Sequence, residues 1–318
     1  MRPPDANQKL VSVIMPTYNQ DDFISSAIES VLNQSYSNFE LIIVDNYSED
    51  DTEKIVASYW NNRIKYLKFK NNGIIAASRN FGVKNACGEY LAFLDSDDKW
   101  RKEKLEKQIP HFQNDFIVGV GSDIIYESIP KYKNTSLGKD KKGFRDYCYY
   151  DLLLNNPVAA SSVVVRKTDF LSVGGFDEDT DFKYIEDWEL WLRLARKGNF
   201  RIIHNPPITY RIYPTTRDKI DVTKKKLKVI NKHYKLGYIT KREMKEPEAN
   251  IYFYLACKLF VPDNKASKEY FSKAFTTSNV IKTKIKVSVG LLLNMQPIVL
   301  RRIMFNILHR ANRSSRYL

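Results

Sequence analysis

Three carboxylates fall within four residues of this 318-residue chain at Asp95, Asp97 and Asp98, around Ser96. They follow directly on Tyr90-Leu91-Ala92-Phe93-Leu94, a nearly continuous apolar run of the kind that makes a strand buried on both faces. Open α/β sheets bind ligands just beyond the carboxyl ends of their strands, so these acids stand where a ligand is expected. Carboxylates this crowded repel one another unless a cation lies between them, and Asp oxygens suit Mg²⁺ or Mn²⁺. Such an ion can hold a diphosphate. A surface Asp-Ser-Asp turn capping the next helix is the other reading of the same residues. A second apolar run, Leu41–Val44, also meets an acid, in Asp45-Asn46. Another acid pair, Glu186-Asp187, opens a helical stretch with Trp188, Trp191, Leu192 and Ala195 on its apolar face and Gly198 as its stop.

The elements that must position these acids alternate in type. Val11–Met15 reads as a buried strand, followed by a loop at Pro16-Thr17-Tyr18-Asn19. Phe23–Leu32 carries Ile24, Ala27, Ile28, Val31 and Leu32 at helical spacing. Then come strand 41–44, helix Glu53–Trp60, strand Ile64–Phe69, a loop at Asn71-Asn72-Gly73, helix Ala76–Asn85 and strand Glu89–Leu94. Strand and helix in repeated units indicate a Rossmann-like, mostly parallel α/β sheet, with Thr17, Asp45 and Asp95 lining one crevice. Beyond it the pattern predicts a helix over Arg101–Phe112 with Asp98 as its cap. A strand near Ile117–Val120, an irregular insertion over 127–147 and a strand at Ser161–Val165 follow, then a tight turn at Gly174-Gly175-Phe176-Asp177.

Charge divides the chain. Residues 1–218 carry 29 Lys/Arg against 31 Asp/Glu, and residues 219–318 carry 22 against 6, so the whole excess of +14 belongs to the last third. The spacing there predicts helices, including a hairpin of Ala249–Phe260 and Lys265–Phe275 around Pro262-Asp263-Asn264. This sets a catalytic domain at 1–217 and a basic helical region at 218–318. A basic segment attracts polyanions, and without a nucleic-acid motif anionic lipid is the better partner than nucleic acid. Val287–Met295 is too short and too polar to span a bilayer, and Pro297 interrupts it. The next stretch places Leu300, Ile303, Met304, Ile307 and Leu308 on one face with Arg301, Arg302 and Arg310 beside it, which describes a helix lying in a membrane surface. Packing of that stripe on the protein or on a second copy is the alternative. Cys87, Cys148 and Cys257 are odd in number and far apart, and residues 1–10 lack an apolar signal core, which points to a cytoplasmic protein.

Taken together, Pro16-Thr17-Tyr18-Asn19, Val44-Asp45-Asn46, Ala77-Ser78-Arg79-Asn80, Leu94-Asp95-Ser96-Asp97-Asp98 and Glu186-Asp187-Trp188 resemble, in order and spacing, the family 2 glycosyltransferases of the GT-A fold. The resemblance spans roughly residues 9–213. It implies that Tyr18 stacks on uracil, with Pro16, Thr17 and Asn19 around the base, and that Asp45 accepts the uracil imide hydrogen. It implies that Arg79 reaches the base edge or the diphosphate, that Asp95 and Ser96 face the ribose, and that Asp95 and Asp97 hold Mn²⁺ or Mg²⁺. Asp187, beside Glu186, becomes the general base. There is one departure. Relatives often carry His where this chain has Tyr213 in Tyr210-Arg211-Ile212-Tyr213, so metal binding rests on the aspartates and the phosphate oxygens, and the nearby His204 is structural.

The resemblance therefore implies an inverting transfer of a hexose or N-acetylhexosamine from a UDP-sugar to a saccharide hydroxyl. It points to a lipid-linked acceptor in bacterial surface polysaccharide synthesis, with the enzyme peripheral on the inner face of the cytoplasmic membrane. A homo-oligomer is compatible with this. A nucleotidyltransferase is disfavoured because no Gly-rich basic phosphate loop lies near the N-terminus. A non-catalytic nucleotide-binding module is disfavoured because the expected site end is acidic while the basic charge lies elsewhere.

Overall fold

The computed structural model describes residues 8–59, 61–128, 135–136, 143–212, 218–260 and 262–294. The chain falls into two compact units, Met1–Thr215 and Thr216–Leu318. In the first, β1 (Val11–Thr17), α1 (Ile24–Leu32), β2 (Phe39–Asp45), α2 (Thr52–Ala57), β3 (Ile64–Lys68), α3 (Ile75–Lys84) and β4 (Tyr90–Phe93) alternate as the periodicity requires. β3, β2, β1 and β4 lie side by side in that order, all parallel. The sheet continues through β8 (Val164–Arg166), β5 (Ile117–Ser128), β9 (Asn199–Ile212) and the edge strand β7 (Phe144–Tyr147), with β6 (Thr135–Ser136) paired to β5. β8 runs antiparallel to both β4 and β5, so β5 and β9 again point the same way as β1. Apolar runs such as Leu41–Val44 and Leu91–Leu94 are fully buried because helices cover both faces, α1 packing Ala27, Ile28 and Val31 into the core.

The differences from the sequence pattern have local causes. β1 continues through Thr17 instead of stopping at Met15, pairing Pro16 with Val44 and Thr17 with Asp45. Pro16 shares its ladder side with Ile14, whose carbonyl accepts from Leu94 N–H; β4 has ended there, so the missing N–H costs nothing. The expected helix over 101–112 is a short α4 (Lys104–Gln108) followed by a 3-10 turn, Ile109–Gln113, because Pro110 cannot continue the α-helical bonding. Its cap position is Glu103, so Asp98 does not cap it. The expected strand at Ser161–Val165 begins only at Val164. Ala160–Ser162 form a 3-10 turn whose carbonyls accept from side chains, Ser161 from Trp100 Nε1 and Ser162 from Gln108 Nε2. Strand β5 runs on into the region expected to be irregular, and between the Ser122–Ile203 and Ile124–Ile208 pairs β9 bulges at residues 204–207, where two prolines cannot donate. His204 is held at that bulge by Asp123, Nδ1 to Oδ2 3.1 Å.

The remaining helices of this unit are α5 (Tyr149–Leu154), α6 (Lys167–Ser172) and α7 (Glu186–Leu194). Helix α7 ends at Leu194 with Ala195 as its C-cap, before the expected stop at Gly198. Glycine is required at 198 for a different reason: a Cβ there would come within 2.3 Å of the Phe116 carbonyl oxygen. The second unit comprises α8 (Lys219–Lys235), α9 (Lys241–Leu259), α10 (Asn264–Thr277) and α11 (Ile281–Asn294). Thr240 caps α9 in a reciprocal box with Glu243, and Asp263 caps α10 by accepting from Ala266 N–H. The expected stripe at 300–308 and the Tyr210–Tyr213 side chains lie outside the described residues.

Candidate active site

The parallel register brings the ends of β1, β2 and β4 together. Thr17 is paired with Asp45, and Leu94, one residue beyond β4, donates to Ile14 on β1. Asp45 is fully buried, and a buried carboxylate needs donors. It receives Ser48 Oγ at 2.5 Å, Ser48 N–H at 3.1 Å and the Tyr66 hydroxyl at 2.6 Å. Burial first, then the charge and bond of Asp45, push the Tyr66 hydroxyl's ionisation upward. Ser48 in turn accepts from Asn19 N–H at 2.9 Å, and Asn19 Oδ1 accepts from Glu49 N–H at 2.8 Å, which fastens the loop after β1 to the loop after β2. Tyr18 protrudes from this joint, 49% exposed, while Thr17 Oγ1 is buried with no partner among the described residues.

The acidic loop is clamped at two points by one residue. Ser161 Oγ accepts from Asp95 N–H at 3.1 Å, and its carbonyl accepts from the Trp100 indole at 2.7 Å. Between them Asp98 N–H donates to Asp95 O at 3.0 Å, forming a turn that leaves Asp95 and Asp97 half-buried and Ser96 and Asp98 buried. This turn offers two carboxylates two residues apart.

Arg79, expected at the base edge or the diphosphate, lies on α3 with only 2% exposure. Its Nη1 donates to Glu186 Oε1 and its Nη2 to Asp95 Oδ1, both at 2.7 Å. Burial opposes the guanidinium charge, and the two anions more than offset it, so its proton is held more tightly than usual. The physical reason for the placement is plain: a buried cation requires anionic partners, and these two carboxylates supply them. One guanidinium thereby ties the acid at the end of β4 to the acid at the start of α7.

Asp187 follows Glu186 in the first turn of α7, where the helix N-terminus favours its anion. Its Oδ1 accepts from Trp188 N–H at 2.7 Å. The residue is half-buried, yet desolvation dominates, the neighbouring charge of Glu186 adds to it, and together they outweigh Arg79, so the carboxyl is pushed up to about 7. Helix α7 is held by its opposite face: Trp188 Nε1 donates to Leu152 O, and Trp191 packs among Phe93, Phe176 and Phe200.

The Gly174-Gly175-Phe176 turn is fixed against the same helices. Gly174 and Gly175 have φ of 87° and 72°, which only glycine adopts without strain. Asn80, next to Arg79, donates to Phe176 O at 2.8 Å and accepts from Phe176 N–H at 3.0 Å. Arg193 donates to the carbonyls of Val173 and Gly175 while forking onto Glu189.

Thus Thr17, Asp45, Asp95, Ser96, Asp97 and Arg79 gather at the strand ends, and Arg79 links them to Glu186 beside Asp187. Sequence reasoning missed Tyr66, Ser161, Asn80 and Arg193 as the groups that hold the site. Only Asn80 stood within a quoted motif. Tyr47 and Tyr184 were missed too; both are exposed tyrosines in the left-handed region, φ 59° and 77°, a conformation that bulky residues rarely adopt. Among the described residues no three His, Cys, Asp or Glu side chains gather as a metal cage. An open pair of aspartates still fits a hard ion such as Mg²⁺ or Mn²⁺, which keeps waters and completes its shell with phosphate oxygens.

The family model "Glycosyl transferase family 2" matches residues 12–171, half of the chain, including the strand-end loops and the acidic turn. The chain belongs to glycosyltransferase family 2. Among curated proteins, this family 2 enzyme is 35% identical over 61% of its length to the Escherichia coli UDP-Glc:alpha-D-GlcNAc-diphosphoundecaprenol beta-1,3-glucosyltransferase WfgD, covering 73% of that protein. It is 34% identical over 59% of its length to the putative teichuronic acid biosynthesis glycosyltransferase TuaG of Bacillus subtilis, again covering 73%. Among solved structures, S. aureus TarS 1-349 in complex with UDP-GlcNAc superposes with a TM-score of 0.64 at 15% identity, over 90% of this chain and 89% of that one. The mannosyltransferase PcManGT from Pyrobaculum calidifontis, in complex with GDP-Man and Mn²⁺, gives 0.59 at 16% identity, over 96% and 88%. These neighbours establish the GT-A fold. Family membership makes the chain a glycosyltransferase and sets aside the nucleotidyltransferase and non-catalytic readings.

Proposed function

We propose that this glycosyltransferase moves a hexose or N-acetylhexosamine from a UDP-α-sugar to a hydroxyl of a lipid-linked saccharide, with inversion, in the synthesis of a bacterial surface polysaccharide. The observation that carries the reading is Asp187, a carboxyl pushed up to about 7 and lying next to an acid that Arg79 bonds to the strand-end cluster. A base must be anionic at working pH yet hold a proton well, and a value near neutrality meets both needs. Asp187 takes the proton of the acceptor hydroxyl while that oxygen bonds to the anomeric carbon from the face opposite the diphosphate. The bond from the anomeric carbon to the β-phosphate oxygen breaks, its electron pair leaves with UDP, and the product linkage is β.

Tyr18 stacks on the uracil, and Asp45 takes the imide hydrogen once the Ser48 hydroxyl swings off Oδ1. Pro16, Thr17, Asn19 and Ser96 complete the nucleoside pocket. Asp95 and Asp97 would hold a divalent ion, which supplies positive charge to the departing diphosphate. Arg79 acts through Asp95 and Glu186, keeping donor and acceptor acids in fixed relation. The name of WfgD supports both the UDP-sugar donor and the diphosphoundecaprenol-linked acceptor, and that of TuaG supports a cell-surface polymer. Among the described residues no helix is long and apolar enough to cross a membrane. The lipid-linked acceptor is met by peripheral association with the membrane surface. Release of the nucleoside diphosphate, measured across a panel of nucleotide sugars with and without a diphosphoundecaprenol-linked GlcNAc acceptor, tests the reading. Acceptor-stimulated release from one UDP-sugar is expected, and stimulated release from a GDP-sugar alone refutes it.

A further inference from the structure

The rotation of α11 about its own axis is set by its inward face. Thr283 Oγ1 donates to Glu246 Oε1 on α9 at 2.5 Å, and the other oxygen of Glu246 accepts from Ser278 Oγ at 2.7 Å. Val287 is fully buried with Phe271, Ala256 and Phe260, and Leu291 packs against them. Gly290 approaches Phe271 so closely that a Cβ would lie 2.4 Å from its ring. Residues 283, 287, 290 and 291 follow helical spacing, so the opposite face is forced outward. That face is apolar. Ile281 is 75% exposed, Ile285 60% and Val289 42%, one residue per turn, with Val280 and Phe275 also exposed beside them. In an ordinary solvent-facing helix these positions are polar.

We infer that this face of α11 rests on an anionic lipid bilayer. The charge pattern selects that occupant. Helix α11 contains three lysines and no acid, Lys286 is exposed, and the Lys284 ammonium lies over the Phe275 ring at 5.2 Å, so cationic groups border the isoleucine stripe. An apolar stripe edged by lysines suits an interface that offers hydrocarbon beneath a layer of negative headgroups. A self-complementary contact with a second copy would bring lysines against lysines. The inference goes beyond the proposed peripheral association by naming its contact face, and it stands whether or not the donor is a UDP-sugar.

The test uses full-length protein and sedimentation with vesicles of pure phosphatidylcholine or of phosphatidylcholine with phosphatidylglycerol. Wild type is expected to sediment with the anionic vesicles and not the neutral ones. The combined Ile281→Ser, Ile285→Ser and Val289→Ser protein is expected to lose binding by about 10-fold or more, and Lys284→Gln with Lys286→Gln to weaken it and flatten its salt dependence. Both should keep the wild-type melting temperature and UDP-sugar hydrolysis, because no residue assigned to chemistry is touched. The inference is overturned if wild type ignores anionic vesicles or if the triple variant binds as wild type does. It is also overturned if the triple variant falls to a smaller species in sedimentation velocity, which would make the stripe a contact between copies. A lowered melting temperature with vesicle binding retained would show that the protein itself covers the stripe, and overturns it as well.

Discussion

Replacing Asp187 with Asn separates a base held against its surroundings from an acid that merely favours a helix start. In the fold the carboxyl is pushed up to about 7, by burial first and by Glu186 second. Each tenfold gain in proton affinity corresponds to about 1.4 kcal/mol, so the ionised form carries a penalty of up to about 4 kcal/mol relative to the unfolded chain. Because the folded value is raised, the contribution of this group to stability is fully present below the ordinary aspartate range and is lost as pH rises through about 7. Asn keeps the shape and an acceptor for Trp188 N–H, but never ionises. Its favourable interaction with the helix N-terminus, roughly 0.3–1 kcal/mol, is forgone. Asp187→Asn should therefore be more stable than wild type by roughly 2–3 kcal/mol at about pH 8, with nearly all of the advantage gone at about pH 5. At roughly 2–4 °C per kcal/mol, thermal unfolding in EDTA without nucleotide resolves this. Transfer should meanwhile fall by about 10²–10⁴-fold, and the wild-type rate should decline as pH drops below about 7. Destabilisation of the variant at about pH 8, or a stability change independent of pH, refutes the electrostatic reasoning. Retention of more than about a third of the transfer rate puts the base elsewhere.

Asp97→Ala should bind UDP equally in Mn²⁺ and in EDTA, whereas wild type binds more tightly with Mn²⁺; calorimetric titration compares the four conditions, and no Mn²⁺ effect in wild type removes the metal site. Arg79→Met leaves the buried Glu186 and the half-buried Asp95 without their cation and should cost about 3 kcal/mol in urea unfolding, the lower end of the buried-pair range because Asp95 can recover some solvent. A loss below about 1 kcal/mol would mean that the guanidinium does not hold the two acids together. The Gly174-Gly175-Phe176-Asp177 turn, which we assign to the acceptor side, loses both Asn80 bonds to Phe176 in Asn80→Ala, so the acceptor KM should rise while UDP-sugar hydrolysis stays near wild type. An unchanged acceptor KM would detach that turn from acceptor binding.

Much of the catalytic unit was legible because the residues that make it are local. Apolar runs ending in Asp45 and Asp95 announce buried strands whose ends carry chemistry, and both strands form, β2 longer than read at Phe39–Asp45 and β4 shorter at Tyr90–Phe93. Boundaries moved where a tertiary partner intervened. Ser161 and Ser162 turn away from strand geometry because Trp100 and Gln108 use their carbonyls, and nothing near residue 161 signals a bond to residue 100. Arg79 shows the same limit at the site. A motif arginine beside an acidic loop reads as a ligand contact, and its bond to Glu186, which crosses 107 positions and exists only after folding, has no signal in the sequence. The Asp187 environment was half visible: the helix start and Glu186 are adjacent in sequence, but the burial that outweighs the helix end is a property of the packed domain.

The most direct test of the central claim is the anomeric configuration of the product. A mixed pool of UDP-α-sugars is incubated with a diphosphoundecaprenol-linked GlcNAc acceptor, the extended product is isolated by mass, and its anomeric proton is recorded by NMR. Transfer of one hexose or N-acetylhexosamine in β-linkage, lost in Asp187→Asn, is the predicted result. An α-linked product, or a β-linked product formed equally well by the Asn variant, contradicts the account.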